Sequence, residues 1–281
     1  MCCIWDYNEH ELTKRTVSMY EKWKSRAFPY KIRTKCEHIF FTPREGGRME
    51  ETMQNEYELK KLMCDIGKRI YDRNMVAAND GNISVRTAPD RIWVTPTGVS
   101  KGYMTEDMLL CVDLEGRVLE GTASPSSEMK MHLRVYRENP EVGGVVHAHP
   151  PAATSFAIAR VPMDMALLTE TVFNLGVVPV APYATPGTQE VPESIAPFCR
   201  THNAVLLANH GALTWGRNAM EAYYRMESLE GSAVILMNLG YLNRPGCLLK
   251  RREVEALLEA REKAGITAGG VPLCAEDCGQ A

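Results

Sequence analysis

The sequence predicts an α/β protein: one domain whose central sheet is mixed, mostly antiparallel, and covered by helices on both faces. Three observations predict it. Strand-like and helix-like runs alternate from residue 51 onward, which favours a layered α/β architecture. Hairpin signals interrupt that alternation, so the sheet is not all parallel. At 281 residues, with 45% hydrophobic and 24% charged residues, the chain is long enough for one large core of ordinary globular composition.

Taken in order, ETMQNEYELKKLMCDIGKRIYDRNM (51–75) spaces Tyr57, Leu59, Leu62, Met63, Ile66, Ile70 and Tyr71 as one apolar helical face. NDGN (79–82) ends that helix in a turn. ISVR (83–86) and RIWVTPT (91–97) read as strands, and CVDLEGRVLEG (111–121) as a hairpin turning at Glu115-Gly116. SPSSEMKMHLRVYREN (124–139) reads as a helix with Ser124 as N-cap and Pro125 at its first position. GGVVHAH (143–149) is a strand, PPAATSFAIA (150–159) a helix, VVPVAPY (177–183) a strand and QEVPESIAPFCR (189–200) a helix. NAVLLAN (203–209) is a buried strand, followed by a long helix over 217–240 and a last one over 250–265. No internal repeat and no low-complexity segment interrupts the series.

Residues 1–48 differ from the rest, with two of the four tryptophans, a KWKSR cluster and no strand-like alternation. They read as an N-terminal extension to a domain over 49–265, with 266–281 as a mobile C-terminal tail. Glu-Gly-Gly-Arg before Met49 is a stretch that a purine-rich, ribosome-binding run encodes, so Met49 is a second candidate start; the alternative is a docking or targeting helix. The nine cysteines are scattered, odd in number and free of CxxC pairs. With acidic residues where a signal peptide needs an apolar stretch, they suggest a reduced, cytoplasmic protein with free thiols. No apolar run approaches the roughly 18 residues of a membrane span. A net charge of −3 gives no reason to expect nucleic acid as a partner.

Chemistry concentrates in a few motifs. Side chains at i and i+2 of a strand share a face, so His147 and His149 project together. On its own that HxH is equally a metal site or a coincidence of one strand face. His210, at the end of NAVLLAN, is the candidate third ligand; three neutral imidazoles suit zinc and leave a coordination position open. Ser126 and Ser127, in the first turn of a helix, add hydroxyls to the free N–H groups that attract an anion. Glu128 beside them is a candidate general acid/base. Gly81-Asn82 and Thr97-Gly98 lie in turns whose donors suit phosphate oxygens, with Lys101 read as solvated. CAEDC (274–278) offers a weaker metal pattern.

The ordered set GNISVR, TPTGVSKG, SPSSEMKMH, VVHAHPP, APYATPGT and NHGALTWG resembles the class II aldolase/epimerase family over roughly residues 55 to 240. The resemblance implies a zinc-dependent homotetramer with active sites at subunit interfaces and a small phosphorylated sugar as substrate. It implies His147, His149 and His210 as metal ligands and Glu128 as catalytic acid/base. It assigns Asn82, Thr97, Gly98, Ser126 and Ser127 to the substrate phosphate, with Gly81 shaping the first loop. Glutamate at 128 points to the aldolase branch, which cleaves a ketose 1-phosphate such as fuculose 1-phosphate to dihydroxyacetone phosphate and an aldehyde. A pentulose-phosphate epimerase, a methylthioribulose-phosphate dehydratase and a non-catalytic adducin-like scaffold are the alternatives. One departure stands out: the tyrosine that family aldolases use as proton donor, reaching in from a neighbouring subunit, falls near Leu168, with Glu170 and Tyr183 the nearby polar groups.

Overall fold

The computed structural model describes residues 49–243 and 246–280; the expectations for residues 1–48 lie outside them. The fold is α/β as expected. Its long first helix, α1 (Met49–Asp72), buries Met63, Ile66 and Ile70 completely, so the apolar spacing marks the face that packs. The hairpin β1 (Asn82–Ala88) and β2 (Arg91–Val94) follows, then the hairpin β3 (Leu110–Val112) and β4 (Val118–Glu120). Helix α2 (Met129–Glu138) leads into β5 (Gly144–Ala148), and α3 (Pro151–Ala159) starts directly behind it. Helix α4 (Thr169–Asn174), strand β6 (Val180–Ala181) and helix α5 (Glu190–Ile195) come next. The antiparallel pair β7 (Ala204–Leu207) and β8 (Gly211–Gly216) precedes the long α6 (Ala219–Tyr241) and α7 (Arg251–Lys263).

One eight-stranded sheet results, in the order β4-β3-β2-β1-β5-β8-β7-β6. Every pairing is antiparallel except β6 with β7. Each face carries its own apolar layer. Val146, Ala148, Leu206 and Ala212 pack with α1, α3 and α6, while Val145, Val205, Leu207 and Leu213 pack with α2 and α5. Both faces being covered, the central strands are apolar at successive positions instead of alternating. Residues 145 and 147 therefore share the α2 side of β5.

Two local readings are corrected, and two segments without an expected element gain one. The α2 helix begins at Met129, not at Ser124: Pro125 instead forms an isolated bridge with Pro96, which ties the 95–98 loop to the approach of α2. GALTWG and TETVFN, for which the sequence suggests no element, are the strand β8 and the helix α4. The proposed strand 177–183 narrows to Val180–Ala181, which pairs with Leu206 and Leu207 of β7. The C-terminal segment is hydrogen-bonded back to the rest of the fold. Leu273 N–H donates to Asp164 O at 2.7 Å, Ala275 N–H to Leu249 O at 2.9 Å, and Asn203 Nδ2 to Ala268 O at 2.9 Å. Cys274 is buried there and its thiol donates to Asp277 at 2.9 Å, a local contact that leaves CAEDC no metal-like grouping.

Beneath the sheet, Ser84 Oγ on β1 lies 2.7 Å from His132 Nδ1 and 2.9 Å from Tyr136 Oη, both on α2. Burial pushes the His132 imidazole down from 6.5 to about 4, against a smaller opposing pull from Glu128. The unfolded chain therefore takes up a proton that the folded one refuses. This contribution is complete above pH 6.5 and is lost as pH falls from 6.5 towards 4, at most about 3 kcal/mol. Thermal unfolding between pH 7 and 4 is expected to show a shallower pH slope for His132→Gln than for wild type; equal slopes would place the acid lability elsewhere.

Candidate metal centre

The middle of the sheet sets the site. On β5, His147 stands opposite Asn82 of β1 on one side and Leu213 of β8 on the other. His147 is fully buried, and its Nδ1 lies 2.8 Å from the carbonyl of Ala212. That bond fixes the proton on Nδ1 and leaves Nε2 free to coordinate. His149, one residue beyond β5, has its backbone N–H anchored on Met75 O at 2.8 Å. Its Nε2 comes within 3.0 Å of His147 Nε2.

His210 enters from the β7–β8 turn. Asn209 takes the left-handed conformation there at φ 56°, which asparagine tolerates better than most residues, and His210 N–H closes the turn on Leu207 O at 2.9 Å. Gly211 is required by close approach, since a Cβ would meet His149 Cδ2 at 2.5 Å and Ala148 O at 2.6 Å. The three ring centroids are 4.8 to 5.0 Å apart, and one ligand nitrogen from each histidine lies within 4.8 Å of the others.

Glu128 closes the group from the start of α2. Its Oε1 is 2.8 Å from His210 Nε2, and its Oε2 is 3.4 Å from His147 Nε2. Asn82 Nδ2 donates to Oε2 at 2.8 Å and approaches Ser126 Oγ at 3.4 Å. Burial disfavours the Glu128 carboxylate, but the imidazoles of His147 and His210 and the Asn82 amide outweigh it. The group is held well below the usual carboxylate range and is ionised at neutral pH. Burial also pushes the His147 imidazole down to about 3, although the Glu128 charge opposes that, and it lowers His149 in the same way. Three imidazoles beside one carboxylate form a donor set that a divalent transition ion fits.

The structure brings the remaining sequence candidates to the same end of the sheet. Gly81, at φ 74°, turns the chain into β1; a Cβ there would meet Val76 Cγ1 at 2.6 Å and His147 O at 2.9 Å. Thr97 N–H donates to Ser124 O at 3.0 Å, which sets the Thr97-Gly98 loop beside the serines. Ser126 and Ser127 precede α2 instead of lying in its first turn, and Ser126 Oγ accepts from Glu128 N–H at 3.3 Å. Thr97, Gly98 and Ser127 are exposed, and Ser126 is half-buried.

The polar groups named near Leu168 are not at the cluster. Glu170 bonds to Thr169, Tyr183 is exposed, and Leu168 lines an apolar cavity of about 400 Å³ with Phe156, Met163 and Leu236. One neighbour escaped the sequence reading and another was misread. Asp80 Oδ2 is 3.4 Å from His149 Nδ1, and Lys101 is buried, not solvated. The acidic residue inside NDGN was the available signal for the first; nothing local distinguishes the second.

An α/β fold whose mixed sheet brings three histidines together, with a glutamate from the start of α2 beside them, presents a cluster able to hold a metal ion. The chain belongs to the class II aldolase and adducin N-terminal domain family, whose model matches residues 61–237. It is 34% identical over 184 residues to a 3-oxo-tetronate 4-phosphate decarboxylase of Haemophilus influenzae, covering 64% of this chain and 87% of that protein. It is 32% identical over 182 residues to an L-fuculose phosphate aldolase of Methanocaldococcus jannaschii, covering 64% and 97%. Among solved structures, YgbL of Escherichia coli, a putative aldolase/epimerase/decarboxylase, superposes with a TM-score of 0.68 at 30% identity, covering 72% of this chain and 99% of that one. Among the described residues no helix is long and apolar enough to cross a membrane.

Proposed function

We propose that this protein is a divalent-metal-dependent carbon–carbon lyase acting on a small phosphorylated keto compound. The leading reading is an aldolase that cleaves a ketose 1-phosphate such as L-fuculose 1-phosphate. The observation that carries it is the convergence of Glu128 on His147 and His210, with Asn82 and Ser126 alongside. His147, His149 and His210 would hold the ion, zinc in this reading, which when bound supplies Lewis acidity to a substrate carbonyl.

Glu128 is placed to return or remove a proton at the carbon that bond cleavage leaves electron-rich. Asn82 holds one oxygen of that carboxylate, so the group is aimed before substrate arrives. Ser126, Ser127, Thr97 and Gly98 would take the phosphate, fixing the ketone end against the histidines. A zinc-containing homotetramer belongs to this reading and is checked by metal content and mass in solution.

Decarboxylation is the second reading, favoured by the 34% identity to a named 3-oxo-tetronate 4-phosphate decarboxylase. Aldol cleavage needs a group to take the hydroxyl proton of the departing aldehyde, whereas a 3-oxo acid loses carbon dioxide from a carboxylate that is already ionised. The relative named for 3-oxo-tetronate 4-phosphate is matched as well as the aldolase. Both substrates yield dihydroxyacetone phosphate. Zinc-loaded protein is therefore assayed on each with coupled detection of triose phosphate. Release from fuculose 1-phosphate supports the first reading, release only from 3-oxo-tetronate 4-phosphate supports the second, and release from neither counts against the lyase.

A further inference from the structure

Lys101 has almost no solvent exposure, at 1%. Its ammonium sits between two backbone segments, donating to Asn79 O at 3.0 Å and to Val99 O at 2.6 Å. Asn79 opens the turn that delivers Gly81 and Asn82, and Val99 follows Thr97 and Gly98 directly. One buried cation thus links both loops that reach the site from the β1–β2 side. A buried lysine is costly unless it is paired or held by acceptors, and a neutral side chain of similar length would fill the same space without that cost.

The surroundings explain what retains it. Burial pushes the Lys101 ammonium down to about 8, and the carboxylates of Asp80 and Glu128 act in the opposite sense, keeping it charged at neutral pH. Those two carboxylates also face the histidine cluster, Asp80 at 3.4 Å from His149 Nδ1 and Glu128 at 2.8 Å from His210 Nε2. A phosphate dianion entering between Thr97-Gly98 and Ser126-Ser127 meets two negative side chains at the far end of the site. The fixed positive charge behind the loops offsets them.

We propose that Lys101 is the positioning residue of the anion subsite: it clamps the Asn79–Asn82 and Thr97–Val99 loops together and supplies, from behind them, the positive charge that the phosphate feels. This rests on the reading above that the substrate is phosphorylated. Lys101 needs no direct contact with substrate. Its charge acts through a low-dielectric layer, where it is screened far less than a surface lysine such as Lys130, which is exposed and bonded to Gly187 O at 3.1 Å.

The test uses the metal-loaded protein and inorganic phosphate as probe, with wild type, Lys101→Gln and Lys101→Met compared by calorimetric titration. Zinc affinity and thermal unfolding are measured on the same samples. Gln retains a donor for one of the two carbonyls but no charge; Met retains only the stem. The expected result is a loss of about tenfold in phosphate affinity for both variants, with zinc affinity unchanged. Phosphate binding by Lys101→Gln at the wild-type level would overturn the role of the charge. A parallel loss of zinc affinity and thermal stability in both variants would overturn it too, reducing Lys101 to a structural peg. Absence of phosphate binding by wild type would instead remove the phosphorylated-substrate reading on which the inference stands.

Discussion

Replacing His210 by alanine is expected to lower divalent-metal affinity by more than about 100-fold and to abolish lyase activity with it. Loss of an outer partner that merely orients a ligand already costs about 10- to 100-fold, and removal of a ligand costs more. His210 is the most informative of the three for this purpose. It sits in the β7–β8 turn with a side chain 13% exposed, whereas His147 is wholly buried and holds Ala212 O, so its removal confounds metal loss with a packing defect. Competition with a chromogenic chelator reads the affinity directly. Wild-type affinity in the variant would show that the ion does not need the turn histidine and would dissolve the three-ligand site.

Glu128→Gln is expected to reduce turnover about 10²- to 10⁴-fold while leaving metal affinity within about tenfold of wild type. The amide is isosteric, and its oxygen can still accept from Asn82 Nδ2, so the start of α2 keeps its geometry. What disappears is the ionised carboxylate that His147, His210 and Asn82 hold below its ordinary range. A change in KM alone, with kcat preserved, would assign Glu128 to binding and leave the proton transfer without a carrier. Measuring triose phosphate release and zinc binding on one preparation separates these outcomes.

Legibility of the fold followed burial. Met63, Ile66 and Ile70 announced α1 because one face of a surface helix has to be apolar, and the structure buries that face. GALTWG did not announce β8. Two of its six residues are glycine, one of which is demanded by contact with His149 and carries no strand signal of its own. The start of α2 was misplaced because Ser124-Pro125 satisfies a helix-start pattern locally, while the bridge between Pro125 and Pro96 is a long-range contact that no local pattern encodes. In the C-terminal segment, backbone donors at Leu273 and Ala275 find acceptors 109 and 26 residues away in sequence, at Asp164 and Leu249, which no local pattern encodes.

The sequence by itself determined the chemical inventory: an HxH pair on one strand face, a third histidine at a strand end, a glutamate behind two serines, and the ordered motifs that mark the family. Period-two geometry makes His147 and His149 neighbours wherever that strand lies, so this much needed no tertiary information. Only the tertiary structure decided that His210 and Glu128 join them, because antiparallel pairing of β5 with β8 and the packing of α2 across the sheet are contacts between residues far apart in the chain. It alone decided that Lys101 is buried. Whether a lysine is solvated depends on what folds over it, and the chains of carbonyls at Asn79 and Val99 are brought around its ammonium by the loops, not by its own neighbours in sequence.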